Sequence, residues 1–154
     1  FNEFAKDIFA NPDERQAKYA PSVVQSSNFP DSAISTVLSA VVNSLKNRST
    51  SIYSGEAQAQ ILSGIAMNPN TSLENLKRIY RIITSPELST TLPYTYAGRM
   101  ILTPIVYHPN VSDDLLRDIV EFVPTDEDIP EYIGLAAQDI LDGKIQRHPP
   151  GFVY

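Results

Sequence analysis

A chain of 154 residues with 42% apolar content is long enough to fold as one domain around a sizeable core. Its 12 Lys and Arg are scattered among 18 Asp and Glu, for a formal charge of −6. That argues against a general polyanion binder, whose affinity comes from clustered cations. The absence of cysteine excludes disulfides and thiolate metal sites and sits easily with a reducing compartment.

Phe1 stands where an initiator methionine would, which points to a processed chain or a piece of a longer one. No basic stretch followed by an apolar one opens the sequence, and no apolar run approaches the ~20 residues of a membrane span. Asn2 to Ala10 reads as a helix that closes on the corner Asn11-Pro12-Asp13. Asp13 to Ala20 predicts a short helix ended by Pro21, with Ser22 to Asn28 as a connector. Asp31 to Lys46 predicts a long helix. Its Ser32, Ser35, Thr36, Ser39 and Ser44 lower its intrinsic propensity, so packing must hold it.

Asn47 to Ser54 is a polar loop, and helix returns over Gly55 to Met67. At Asn68-Pro69-Asn70 the proline biases its predecessor away from helix. Thr71 with Glu74 fits a capping box for the next helix. Leu73, Leu76, Ile79, Tyr80 and Ile83 then recur at spacings of three and four, an amphipathic stripe. Thr84 to Pro93 is turn-rich. Tyr94 to Tyr107 predicts a helix kinked at Pro104, at a cost of ~3 kcal/mol unless the geometry adapts. The corner His108-Pro109-Asn110 opens a helix ending near Val123. Pro124 to Pro130 is an acidic loop, Glu131 to Leu141 a helix closed by Gly143, and Ile145 to Tyr154 a tail. No hairpin turn and no sustained period-two run predicts a strand.

The units repeat. Leu116, Ile119, Val120 and Val123 stand about forty residues after the stripe of the central helix, and Phe29-Pro30-Asp31-Ser32 with Val37, Ala40 and Val41 forms a more divergent copy before it. Ala57, Ile61 and Ile65 return as Ala97, Ile101 and Ile105, then as Ala137, Leu141 and Ile145. Two helices per unit at that period predict an all-α fold, an α-solenoid. The predicted division is a single domain over residues 1–154, with a partial unit 1–28, units 29–67, 68–107 and 108–147, and a tail 148–154. In length the repeat resembles HEAT and armadillo-type repeats. The corner Asn-Pro-Asn-Thr-Ser-x-x-x-Leu resembles the leucine-rich repeat variant. That resemblance implies a right-handed superhelix and a binding scaffold, with no particular activity attached.

The chemistry-bearing residues are few. His108 and His148 both precede a corner proline, where Asn68 stands in the neighbouring unit, so a helix-end capping role is expected for both. Asp113, Asp114 and Asp118 suit a helix N-terminus. Asp126-Glu127-Asp128 lacks the glycine and spaced ligands of a calcium loop, and Asp139 with Asp142 reads as a wet face. The sequons Asn47-Arg48-Ser49, Asn70-Thr71-Ser72 and Asn110-Val111-Ser112 carry little weight, since two of them are the corners themselves. There is no phosphate loop, dinucleotide fingerprint, paired-His helix or nucleophile elbow.

Tyr96 and Arg99, three residues apart and near Tyr94, have the chemistry of an interface anchor, although Tyr96 packed between helices is the plainer reading. Gln58, Arg99 and Gln138 fall close to equivalent places in the second helices of three units. The expected function is therefore a non-enzymatic scaffold that binds a protein partner through Gln58, Tyr94, Tyr96, Arg99 and Gln138. No cofactor and no metal are expected, and nothing signals a particular oligomeric state. The expected location is cytoplasmic or within an intracellular or virion-type assembly. The alternatives are a structural subunit of a larger assembly, or a nucleic-acid-binding solenoid using Arg48, Tyr53, Tyr94, Tyr96 and Arg99.

Overall fold

The chain is described here from a computed structural model, in which Ala5, 14–46, 55–89 and 97–146 are the described residues. Among them every regular element is helical and none is a strand. The expected helix Asn2–Ala10 (apart from Ala5), the loop Asn47–Ser54 and the tail 148–154 lie outside the described residues.

The helices are α1 (Glu14–Gln25), α2 (Asp31–Lys46), α3 (Gly55–Met67), α4 (Leu73–Thr84) and the single turn α5 (Pro86–Ser89). A π-helical segment (Ala97–Leu102) follows and runs directly into α6 (Thr103–Val106). Then come α7 (Asp113–Phe122), a 3-10 turn (Val123–Thr125) and α8 (Glu131–Leu141). α1 packs on α3, α3 on the π segment and α6, and those two on α8. α2 packs on α4, and α7 on α8. Of the apolar stripes, Val37 and Val41 from α2, Ile61 and Ile65 from α3, Leu76, Ile79 and Ile83 from α4 and Leu116 and Ile119 from α7 are core, joined by Leu38 and Leu62, while Ala40, Leu73, Tyr80 and Val120 are buried only in part.

Several elements depart from the sequence expectation, each for a local reason. α1 does not stop at Ala20 but runs through Pro21 to Gln25. The proline ring already favours a helical φ, and the lost hydrogen bond and ring clash, about 3 kcal/mol, are offset where Ala20 and Val24 bury completely. The capping box of Thr71 and Glu74 is not formed. Thr71 is buried and turned back, its Oγ1 donating to Ile65 O at 2.6 Å and so satisfying a carbonyl at the end of α3. Ser72 is the N-cap instead and accepts from Asn75 N–H at 3.2 Å. Ser112 does the same for Leu115 N–H in α7. The expected kink at Pro104 is a change of helix type: the wide π turn ends two residues before it, and Pro104 sits in the first turn of α6, where its missing N–H costs least. Within the turn-rich loop after α4, Pro86–Ser89 forms a helical turn. Gly143, at φ +76°, closes α8 as expected, with Lys144 N–H bonded to Asp139 O at 2.8 Å and Gly143 N–H to Ile140 O at 3.1 Å, the Schellman pattern.

The serines of α2 acquire a purpose from α4. Asp31 Oδ1 accepts from Ser72 N–H at 2.8 Å and from Asn75 Nδ2 at 2.9 Å. Asn75 also donates to Ser35 Oγ, and Arg78 donates to Ser35 O and Ser39 Oγ. A polar lattice thus runs beside the apolar contact of the two helices. α4 reaches α7 through Tyr80, whose hydroxyl donates to Asp118 O at 3.2 Å and whose ring meets Phe122 edge-on at 6.0 Å. Burial, reinforced by the charges of Asp118 and Glu121, pushes the Tyr80 hydroxyl up to about 12, so it stays a donor at any physiological pH.

α1 and α3 approach each other closely at Gly64. A Cβ added there would lie 2.7 Å from Pro21 O and 3.0 Å from Val24 Cγ2. Since the first of these is backbone, the two helices must separate to admit a methyl group. Gly64→Ala should therefore destabilise the chain by about 1–2 kcal/mol in urea unfolding, the overpacking cost exceeding the ~1 kcal/mol gain in helix propensity. Gly134→Ala in α8 is the matched control. The nearest atoms to its Cβ would be Val123 side-chain carbons at 3.4 to 3.8 Å, ordinary van der Waals distances, so the propensity gain should dominate and the sign reverse.

Candidate interaction surface

Among the described residues, the corners between helices carry a dense set of side-chain hydrogen bonds to backbone. Asn68, fully buried, accepts Asn70 N–H on Oδ1 at 2.9 Å. Its Nδ2 donates to Val24 O, Ser26 O and Phe29 O at 2.8, 3.0 and 3.2 Å. Asn70 Nδ2 also donates to Ser27 O and Phe29 O. One corner further on, His108, also fully buried, accepts Asn110 N–H on Nδ1 at 3.0 Å. Its Nε2 lies 2.8 Å from Asn68 O, so the neutral ring with its proton on Nε2 satisfies both partners. Asn110 Nδ2 donates to Thr71 O at 2.9 Å and Pro69 O at 3.4 Å. Burial lowers the His108 pKa below its ordinary value, opposed in part by the bond to Asn68 O.

His108 therefore holds a turn and ties two corners together rather than capping the last carbonyls of a helix. Both ring nitrogens are committed, which leaves neither for a substrate or a metal. His148 lies outside the described residues. Among the described residues no group of three His, Asp or Glu could hold a metal ion. Among them, too, no helix is long and apolar enough to cross a membrane.

Of the expected partner-binding residues, the structure removes Gln58 from the surface. It is 3% exposed, and its Nε2 donates to Ser44 Oγ at 2.6 Å. The physical reason is its helix: α3 packs against α1, the π segment and α6, and α2 and α4 also touch it. Tyr94 and Tyr96 lie outside the described residues. Arg99 is exposed on the π segment, beside Met100, which is 42% exposed. Gln138 is exposed on α8, donates to Asp142 Oδ1 at 2.9 Å, and lines a groove that the sequence reading did not foresee.

That groove has a volume of about 580 Å³ and lies between α7, the 3-10 turn, the acidic loop and α8. Val120, Val123 and Ile129 supply apolar lining from below, and Leu135, 57% exposed, forms one lip. Asp126, Glu127 and Glu131 are the charged residues along it. Asp126 is fixed by accepting Asp128 N–H at 2.9 Å. On its α6 side, α8 carries Tyr132, 51% exposed, over a smaller cavity of about 130 Å³ lined also by Thr103, Val106 and Tyr107. Tyr132 and Leu135 are three residues apart and so neighbours on the helix surface. A signal for this was present in the sequence: at helical spacing Leu135 falls among Glu131, Gln138 and Asp139, a large apolar residue on the polar face of Glu131–Leu141.

The chain matches no family model, no curated protein and no solved structure.

Proposed function

We propose that this chain is a non-enzymatic protein–protein interaction module built as an α-solenoid of the HEAT or armadillo-like kind, with units near 29–67, 68–107 and 108–147. Support for the repeat comes from the corner hydrogen bonds, which join residues 39 to 44 positions apart from Asn68 and Asn70, and again 39 to 41 apart from His108 and Asn110. Such an array exposes long surfaces suited to an extended partner.

The observation that carries the functional reading is exposed Leu135 on a groove of about 580 Å³, with exposed Tyr132 one helical turn away over the smaller cavity. Large apolar side chains set together on a surface mark interaction sites. The test is capture from a native lysate, nuclease-treated, on immobilised chain. A defined protein should be retained by the wild type and reduced roughly tenfold by Leu135→Asp, as for an interface anchor. Because Leu135 is exposed, the helical circular dichroism should not change. Equal capture by Leu135→Asp would overturn the surface, and partners that vanish on nuclease treatment would bring the nucleic-acid reading forward.

A structural subunit of a larger assembly is the second reading. It is favoured by exposed apolar residues on both α1 (Tyr19, 53%) and α8, the first and last of the described helices. A head-to-tail contact between unlike ends would join copies in that way. Concentration-dependent sedimentation of the isolated chain, abolished by Leu135→Asp, would separate it from the scaffold.

A further inference from the structure

We infer that the groove between α7 and α8 receives a cationic amphipathic peptide segment, an aliphatic anchor flanked by Arg or Lys. This rests on the interaction-module reading and names the chemistry of its partner. The lining is of two kinds. Val123 and Ile129, nearly buried, and the half-exposed Leu135 give an apolar floor and lip that gain by covering an aliphatic side chain. Asp126, Glu127 and Glu131 put three carboxylates along the same groove, with no Lys, Arg or His among its lining residues.

Charge decides between occupants. A second copy of this chain brings a formal charge of −6 to a groove already negative. Phosphates of nucleic acid or of an anionic lipid surface bring the same sign. All three are opposed by like-charge contact, whereas a basic segment is steered in and held in register by it. The groove runs beside α8, whose 11 residues span roughly 16 Å, so a peptide helix of about 12 residues is long enough to lie along it.

The experiment is fluorescence anisotropy of the purified chain with a labelled peptide of about 12 residues, Leu on one face and Arg flanking it. Two control peptides replace Leu by Ser or Arg by Gln. Binding of the Leu/Arg peptide should weaken roughly tenfold for Leu135→Ser, and likewise for Glu131→Lys, which also flattens the salt dependence. Both control peptides should bind more weakly than the parent. If the peptide fails to bind, or if wild type and both variants bind it equally, the inference is overturned. In the second case attraction to the acidic chain as a whole accounts for the signal. If Leu135→Asp still abolishes lysate capture while the peptide fails, the partner chemistry is wrong and the interaction surface stands. If capture too is indifferent to Leu135, both fall.

Discussion

Asn68→Ala should lower stability by about 3–5 kcal/mol, a large share of the 5–15 kcal/mol typical of a domain. The magnitude follows from what is left behind rather than from the bonds themselves. The substitution strands Asn70 N–H and Val24 O, whereas Ser26 O keeps Phe29 N–H and Phe29 O keeps Asn70 Nδ2. An unsatisfied buried polar group costs about 1–3 kcal/mol, and the two carbonyls that keep another donor add only the smaller loss of one bond each. Asn70→Ala removes similar bonds to Ser27 O and Phe29 O from an exposed residue, where water can substitute. It should cost about 1 kcal/mol or less. Urea unfolding of the two variants against wild type measures the difference. Equal losses would show that burial of the corner does not set its energetics.

Acidification should weaken the chain through His108. The native ring binds a proton less tightly than the unfolded side chain, because burial penalises the charged form. Protonation would also turn Nδ1 from the acceptor of Asn110 N–H into a donor facing it. As pH falls below the unfolded value of about 6.5, the unfolded chain takes up a proton that the native chain refuses. Stability then falls by up to about 1.4 kcal/mol per pH unit until the lowered native pKa is reached. Well above the unfolded value of about 6.5 both states are neutral and this contribution no longer changes with pH. His108→Asn is the control: Asn can hold the turn as Asn68 does in its own corner, but it has no titrating group, and its shorter side chain should lose or lengthen the bond to Asn68 O. It should lose about 1–2 kcal/mol at pH 7.5 for the missing bond and vacated volume, and lose less than wild type between pH 6.5 and 5. Identical pH profiles would place the acid sensitivity elsewhere.

These effects show how unevenly the fold could be read in advance. The apolar stripes of α2, α4 and α7 were legible because helix periodicity is local: most residues at spacings of three and four bury, with Ala40, Leu73, Tyr80 and Val120 covered only in part. The corners could be located from the Asn-Pro and His-Pro pairs, for the equally local reason that proline restricts the residue before it. What their side chains do could not. Whether Thr71 caps the helix ahead or the carbonyl behind depends on which orphan group has no other partner, and that is known only once α3 has been packed.

Composition, charge and periodicity by themselves determined an all-helical chain with a core drawn from one stripe per helix, and corners marked by proline. Tertiary structure alone decided which polar residues face outward. Gln58 and Gln138, alike in sequence position, differ because α3 has packed neighbours on several sides while α8 has an open side toward the groove. The groove itself is made by a turn, a loop and two helices, none of which carries its shape alone. Its apolar floor and acidic edge meet only where residues 120 to 138 fold back on one another, and no local pattern encodes that meeting.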